Sequence, residues 1–125
     1  MKWLHRDLIT GPYLALCTSE ADFHRAMKHC KVPREQWATW ITDGADATTH
    51  QLTNPDGGRL CVVCIRAGEQ HSGVQIAAML VHEAVHVWQF HCQNIGEREP
   101  SSEFEAYSIQ AISQRLMQAY ADAQH

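Results

Sequence analysis

Apolar and polar positions divide this chain into segments of different period. Residues 12–18, a mostly apolar run from Pro12, read as a first strand. Ser19 then opens a helix: its hydroxyl can cap, and Glu20 and Asp22 fall in the first turn, where the helix dipole favours negative charge. Phe23, Ala26, Met27 and Cys30 recur at helical spacing, and Pro33 ends the run. A short helical turn fits around Trp37 and Trp40. Residues 47–52 and 59–65 read as the arms of a β-hairpin, because Thr53-Asn54-Pro55-Asp56-Gly57-Gly58 between them is a dense turn signal. The second arm is apolar without a break from Leu60 to Ile65, the pattern of a strand covered on both faces. A polar loop, residues 68–73, follows.

From Val74 to about Gln93 the period becomes helical. Val74, Ile76, Ala77, Leu80, Val81, Ala84, Val85, Val87 and Trp88 cover nearly every direction around the axis, which predicts a helix buried all round. Gly96 and Pro100 punctuate the next loop. Ser101 or Ser102 can cap a last helix reaching about residue 121, with Glu103 and Glu105 in its first turn.

The chemistry lies in the first of these long helices. His82-Glu83-Ala84-Val85-His86 is an H-E-x-x-H sequence. Positions i and i+4 share one helix face, so both imidazoles can reach one zinc at about 2.0–2.1 Å. The glutamate beside the first histidine can act as base toward a metal-activated water. With 9 His in the chain, a chance match has a probability of roughly a few per cent. Read as ordinary core residues, two histidines and a glutamate inside an apolar helix are costly unless paired. Their joint spacing favours the metal reading.

Composition narrows the remaining possibilities. The 125 residues suit one domain, residues 1–125, with 45% hydrophobic and 19% charged residues. A formal charge of −4 gives no reason to expect nucleic acid as a partner. No stretch approaches the ~20 apolar residues of a membrane span. Charges interrupt the N-terminal run Met1-Lys2-Trp3-Leu4-His5-Arg6-Asp7, so no export signal is read there and a cytoplasmic location is expected. Five cysteines, Cys17, Cys30, Cys61, Cys64 and Cys92, are an odd count that argues for reduced thiols. Cys61 and Cys64 form a C-x-x-C, but in a strand residues three apart face opposite ways, so two buried apolar side chains are expected rather than a redox or zinc pair.

A hydrolytic zinc site needs a third protein ligand and an open position for water. The extension H-E-x-x-H-x-x-G-x-x-H fails here: Gln89 stands at the glycine position, Cys92 at the last histidine position, and His91 is one residue early. The search therefore moves to the following helix. There, Glu103-Phe104-Glu105-Ala106 after the H-E-x-x-H resembles the E-x-x-A pattern of gluzincin metallopeptidases. That resemblance implies Glu103 as third zinc ligand and Ala106 as a small residue permitting close helix packing. It also implies an α+β, zincin-like core: a short mixed sheet whose edge strand holds extended substrate, an active-site helix and a following ligand helix. The runs His86-Val87-Trp88-Gln89 and Glu105-Ala106-Tyr107-Ser108-Ile109-Gln110 are also similar to small uncharacterised phage and prophage proteins. The specific part of the resemblance covers about residues 74–117.

One departure stands out. Many gluzincins carry Asp or Asn four residues after the ligand glutamate, where this chain has Tyr107. Its hydroxyl can orient a ligand or polarise a substrate carbonyl, or the ring can simply pack. Glu105 remains a rival ligand: it shares a face with Ile109, Ile112 and Leu116, whereas Glu103 aligns with Ala106 and Gln110. His91 points away from the His82–His86 face. His50 and His71 read as surface histidines, either able to supply an oxyanion donor. Trp3, Trp37, Trp40 and Trp88 read as core. The expectation is thus a zinc-dependent metallopeptidase acting on a peptide or protein, with zinc on His82, His86 and Glu103, Glu83 as general base and Tyr107 in support. Substrate would pair with the strand at residues 60–65 or its hairpin partner. The competing expectation is a catalytically inactive zincin-like binding module, such as a phage-encoded inhibitor or regulator of a host protein.

Overall fold

The computed structural model describes residues 3–4, 13–53 and 55–124. The elements run β1 (Trp3–Leu4), β2 (Tyr13–Cys17), α1 (Glu20–His29), a 3-10 turn (Arg34–Gln36), β3 (Ala47–Thr53), β4 (Arg59–Ile65), α2 (Gly73–Ile95) and α3 (Ser102–Ala123). The fold is α+β. One mixed sheet has the strand order β1-β2-β4-β3. β2 and β4 are parallel, whereas β3 pairs antiparallel with β4 and β1 antiparallel with β2. β1 is not predicted by the pattern, because two residues are too short to show a period. Of the residues expected in the first strand, the hairpin turn and the core, Pro12, Asn54 and the Trp3 side chain lie outside the described residues.

β4 explains the unbroken apolar run. It lies between β2 and β3, and its side chains alternate between two cores. Cys61, Val63 and Ile65 pack with Leu14 and Leu16 of β2 against Leu80, Ala84, Val87 and Trp88 of α2 and Ile112 and Leu116 of α3. Leu60, Val62 and Cys64 pack on the other face against Phe23, Ala26 and Met27 of α1. The C-x-x-C cysteines therefore sit in different cores, as strand geometry requires. Burial pushes the Cys61 thiol up to about 12. Cys64 stands opposite Cys17 across the parallel pair, and a hydrogen bond with Cys17 together with burial raises its pKa further. All five cysteines are buried and outside any disulfide.

Local signals set the helix ends. Ser19 accepts from the Asp22 backbone N–H. Ser72 and Gln75 form a reciprocal capping box at the start of α2. Gly96 ends α2 in the left-handed region at φ 71°, a conformation that glycine adopts without strain. Ser101 caps α3 through the Phe104 N–H. Among the described residues no helix is long and apolar enough to cross a membrane.

Three expectations are corrected. α2 is not buried all round: Val74 is 80% exposed and Val81 also reaches solvent. The sheet and α3 cover only part of α2, and its outer side carries alanines and valines that solvent tolerates. His50 is not a surface histidine: its ring stacks on Phe23 with centroids 4.7 Å apart and its Nε2 lies 2.8 Å from the Trp40 carbonyl oxygen. Trp88 is core, whereas Trp37 and Trp40 are half-buried against the α1 side.

This cover predicts a sharp contrast within one helix. Leu80→Ala, at a site 1% exposed, is expected to cost about 2–5 kcal/mol of stability in urea unfolding. Val74→Ala is expected to stay within about 0.5 kcal/mol of the parent.

Candidate metal centre

The motif residues divide across the outer shoulder of α2. Thr49 projects from β3 toward α2, while its neighbour His50 projects to the opposite face of the sheet. Glu83 faces Thr49 and is 5% exposed. The Thr49 hydroxyl donates to Glu83 Oε1 at 2.8 Å. Glu83 Oε2 lies 4.0 Å from His82 Nε2, too far for a hydrogen bond but turned toward the histidine pair. One helical step away, His82 stands in solvent with its side chain 70% exposed, and His86 is half-buried.

The two rings converge. His82 Nε2 and His86 Nε2 are 3.2 Å apart, with ring centroids at 4.9 Å in an edge-on arrangement. Two nitrogens each about 2.0–2.1 Å from one tetrahedral zinc stand about 3.3–3.4 Å apart. The spacing of the pair is therefore close to the bite of a zinc chelate. Among the described residues no third His, Cys, Asp or Glu joins the pair as a ready ligand cluster.

The first turn of α3 separates the two candidate glutamates. Glu105 accepts a hydrogen bond from the buried Trp88 Nε1 at 2.9 Å, and its face continues through Ile112 and Leu116 into the core. Glu103 lies on the exposed side of α3, as do Ala106 and Gln110. Ala106 thus does not serve as the close-packing residue expected of it; Phe104 instead meets Trp88, with ring centroids 5.4 Å apart. Tyr107 is 67% exposed, so its ring does not pack in the core. His91 leans toward Trp88, with centroids 5.9 Å apart, and burial lowers its pKa. His71 sits before α2, 3.5 Å from Asp46.

β3 is the outer strand of the sheet, so among the described residues it is the hairpin arm with an open edge; β4 is paired on both sides and cannot receive an added strand. The Arg66 N–H donates to the Asp46 carbonyl at 3.4 Å, which makes these two a hydrogen-bonded pair. Antiparallel alternation then assigns Thr48 with Cys64 and His50 with Val62 to the bonded positions. Thr49 and Gln51 consequently turn their backbone N–H and C=O groups toward the open edge. A cleft of about 400 Å³ opens elsewhere, lined by Thr18, Ser19, Glu20, Trp40, Arg66, Ala67 and Gln70. It holds none of the motif residues.

Thr49 is the residue that sequence reasoning missed. Its role depends on hairpin register, which places it opposite Val63 and over α2. The alternating pattern of residues 47–52 carried part of that signal, but nothing local links Thr49 to Glu83, 34 residues away. No protein-family model, curated protein or solved structure matches this chain.

The two α3 glutamates should differ in stability. Glu105→Ala strands a buried indole N–H and is expected to cost about 1–3 kcal/mol. Glu103→Ala, at an exposed position, is expected to change thermal unfolding by less than about 0.5 kcal/mol.

Proposed function

We propose that this chain is a zinc-dependent metallopeptidase in which His82 and His86 hold the metal and Glu83 is the general base. The observation that carries the reading is the convergence of the two Nε2 atoms at 3.2 Å, with a buried carboxylate oxygen turned toward them. A zinc ion bound there would acidify a water molecule and polarise a carbonyl group. Glu83 takes a proton from water as the new C–O bond forms. It then delivers that proton to the departing nitrogen as the C–N bond breaks, yielding a carboxylic acid and an amine.

Glu103 is the proposed third ligand, because Glu105 is engaged by Trp88. Tyr107, exposed four residues beyond Glu103, is the proposed hydroxyl donor to substrate or ligand. An extended peptide or protein segment is the proposed substrate. It would pair with the open edge of β3, whose Thr49 backbone groups face outward beside the motif. Five buried cysteines outside any disulfide support a reducing, cytoplasmic setting.

A second reading is favoured by one observation: the motif's first histidine, His82, stands in solvent, its side chain 70% exposed. In that reading the site binds metal without hydrolysis and the chain docks on another protein.

Glu83→Gln discriminates the two. The peptidase reading expects the variant to retain one zinc per chain by metal analysis. It also expects cleavage of a mixture of unstructured peptides to fall by about 10²–10⁴-fold. Cleavage equal to the parent would remove Glu83 as the base. Parent protein that binds zinc and cleaves nothing in the mixture would favour the docking module.

A further inference from the structure

The hydrogen bond from β3 to Glu83 does more than join helix to sheet, if Glu83 is the base as proposed above. A glutamate carboxylate has two equivalent oxygens and rotates about its terminal bond. Here the two are made unequal. Oε1 accepts from the Thr49 hydroxyl at 2.8 Å, and Oε2 is left facing His82 Nε2 at 4.0 Å. The anchor is rigid for two reasons. Threonine is stiff about χ1, and Thr49 lies within a strand paired in register to β4. The surroundings add to this, since Glu83 is 5% exposed and water has little access to compete for Oε1.

Thr49 also faces the proposed substrate. Its side chain reaches Glu83, while its backbone N–H and C=O turn to the open edge of the sheet. One residue thus touches the base and the line along which an added strand would pair.

We propose that Thr49 is a positioning residue: its hydroxyl assigns Oε1 of Glu83 to the scaffold and Oε2 to proton transfer, and its backbone sets a paired peptide in register with that oxygen. The competing account is a plain clasp between helix and sheet. A clasp would affect stability and leave turnover alone.

The test compares Thr49→Val, which keeps the shape and removes the hydroxyl, with Thr49→Ser, which keeps the hydroxyl. The full chain loaded with zinc is assayed on one peptide that the parent cleaves, and kcat and KM are determined separately. Thr49→Val is expected to lower kcat by about 10–100-fold, the usual loss when a partner holding a site residue is removed. KM and zinc stoichiometry should stay at parental values, and Thr49→Ser should recover most of the loss. A readout that does not depend on turnover is the 13C signal of the Glu83 carboxyl in metal-free protein. It should move in Thr49→Val and return in Thr49→Ser. Thr49→Ala replaces Thr49→Val if the latter does not fold. Parental kcat in Thr49→Val, or a Thr49→Ser variant as slow as Thr49→Val, would overturn the role of Thr49 while an inactive Glu83→Gln leaves the base intact. A Glu83→Gln variant as active as the parent would remove both.

Discussion

A carboxylate withdrawn from water must find a hydrogen-bond donor, and in this protein that requirement joins the motif helix to the outer strand of the sheet. Glu83 sits where α2 crosses β3, and the Thr49 hydroxyl satisfies one of its oxygens. An unpaired carboxylate at that depth would cost several kcal/mol. With the bond in place, α2 is fixed in rotation about its own axis. Ala84, Val87 and Trp88 turn toward the sheet and α3, and the positions one step round the helix turn outward. Those positions are His82 and His86. The same rotation that buries Glu83 brings the two imidazoles to chelating distance, His82 in solvent and His86 half-buried.

Much of this architecture was legible along the chain. The turn signal ending at Gly58 marks two runs that do pair as a hairpin, with Thr53 drawn into the strand opposite Arg59, and the unbroken apolar stretch from Leu60 does lie between two cores. Ser19, Ser101 and Gly96 mark helix ends because each offers a specific local solution: a side-chain acceptor for free N–H groups, or a backbone that accepts a positive φ. These signals are short-range, so they survive without tertiary information.

What was illegible depended on which neighbours cover a residue. Val74 and Val81 add to an all-round apolar pattern, yet both reach solvent, because one sheet and one helix reach only part of the α2 surface. Of the three motif side chains Glu83 alone is fully buried, and the two histidines are related by their 3.2 Å approach. His50 reads as polar in sequence and is enclosed by Phe23 and the Trp40 carbonyl, contacts made on the α1 face of the sheet. Glu103 and Glu105 fall two residues apart on one helix, and only the position of Trp88 shows that Glu105 is engaged. The identity of the open edge follows from strand order, which places β4 inside and β3 outside.

The central claim is that the histidine pair is one half of a catalytic zinc site. X-ray absorption and a crystal structure of the zinc-loaded protein test it most directly. The account predicts one zinc per chain on His82 Nε2 and His86 Nε2 at about 2.0–2.1 Å, a carboxylate oxygen from Glu103, and a fourth position open to solvent. Absence of stoichiometric zinc, or an ion enclosed by four protein ligands, would contradict it.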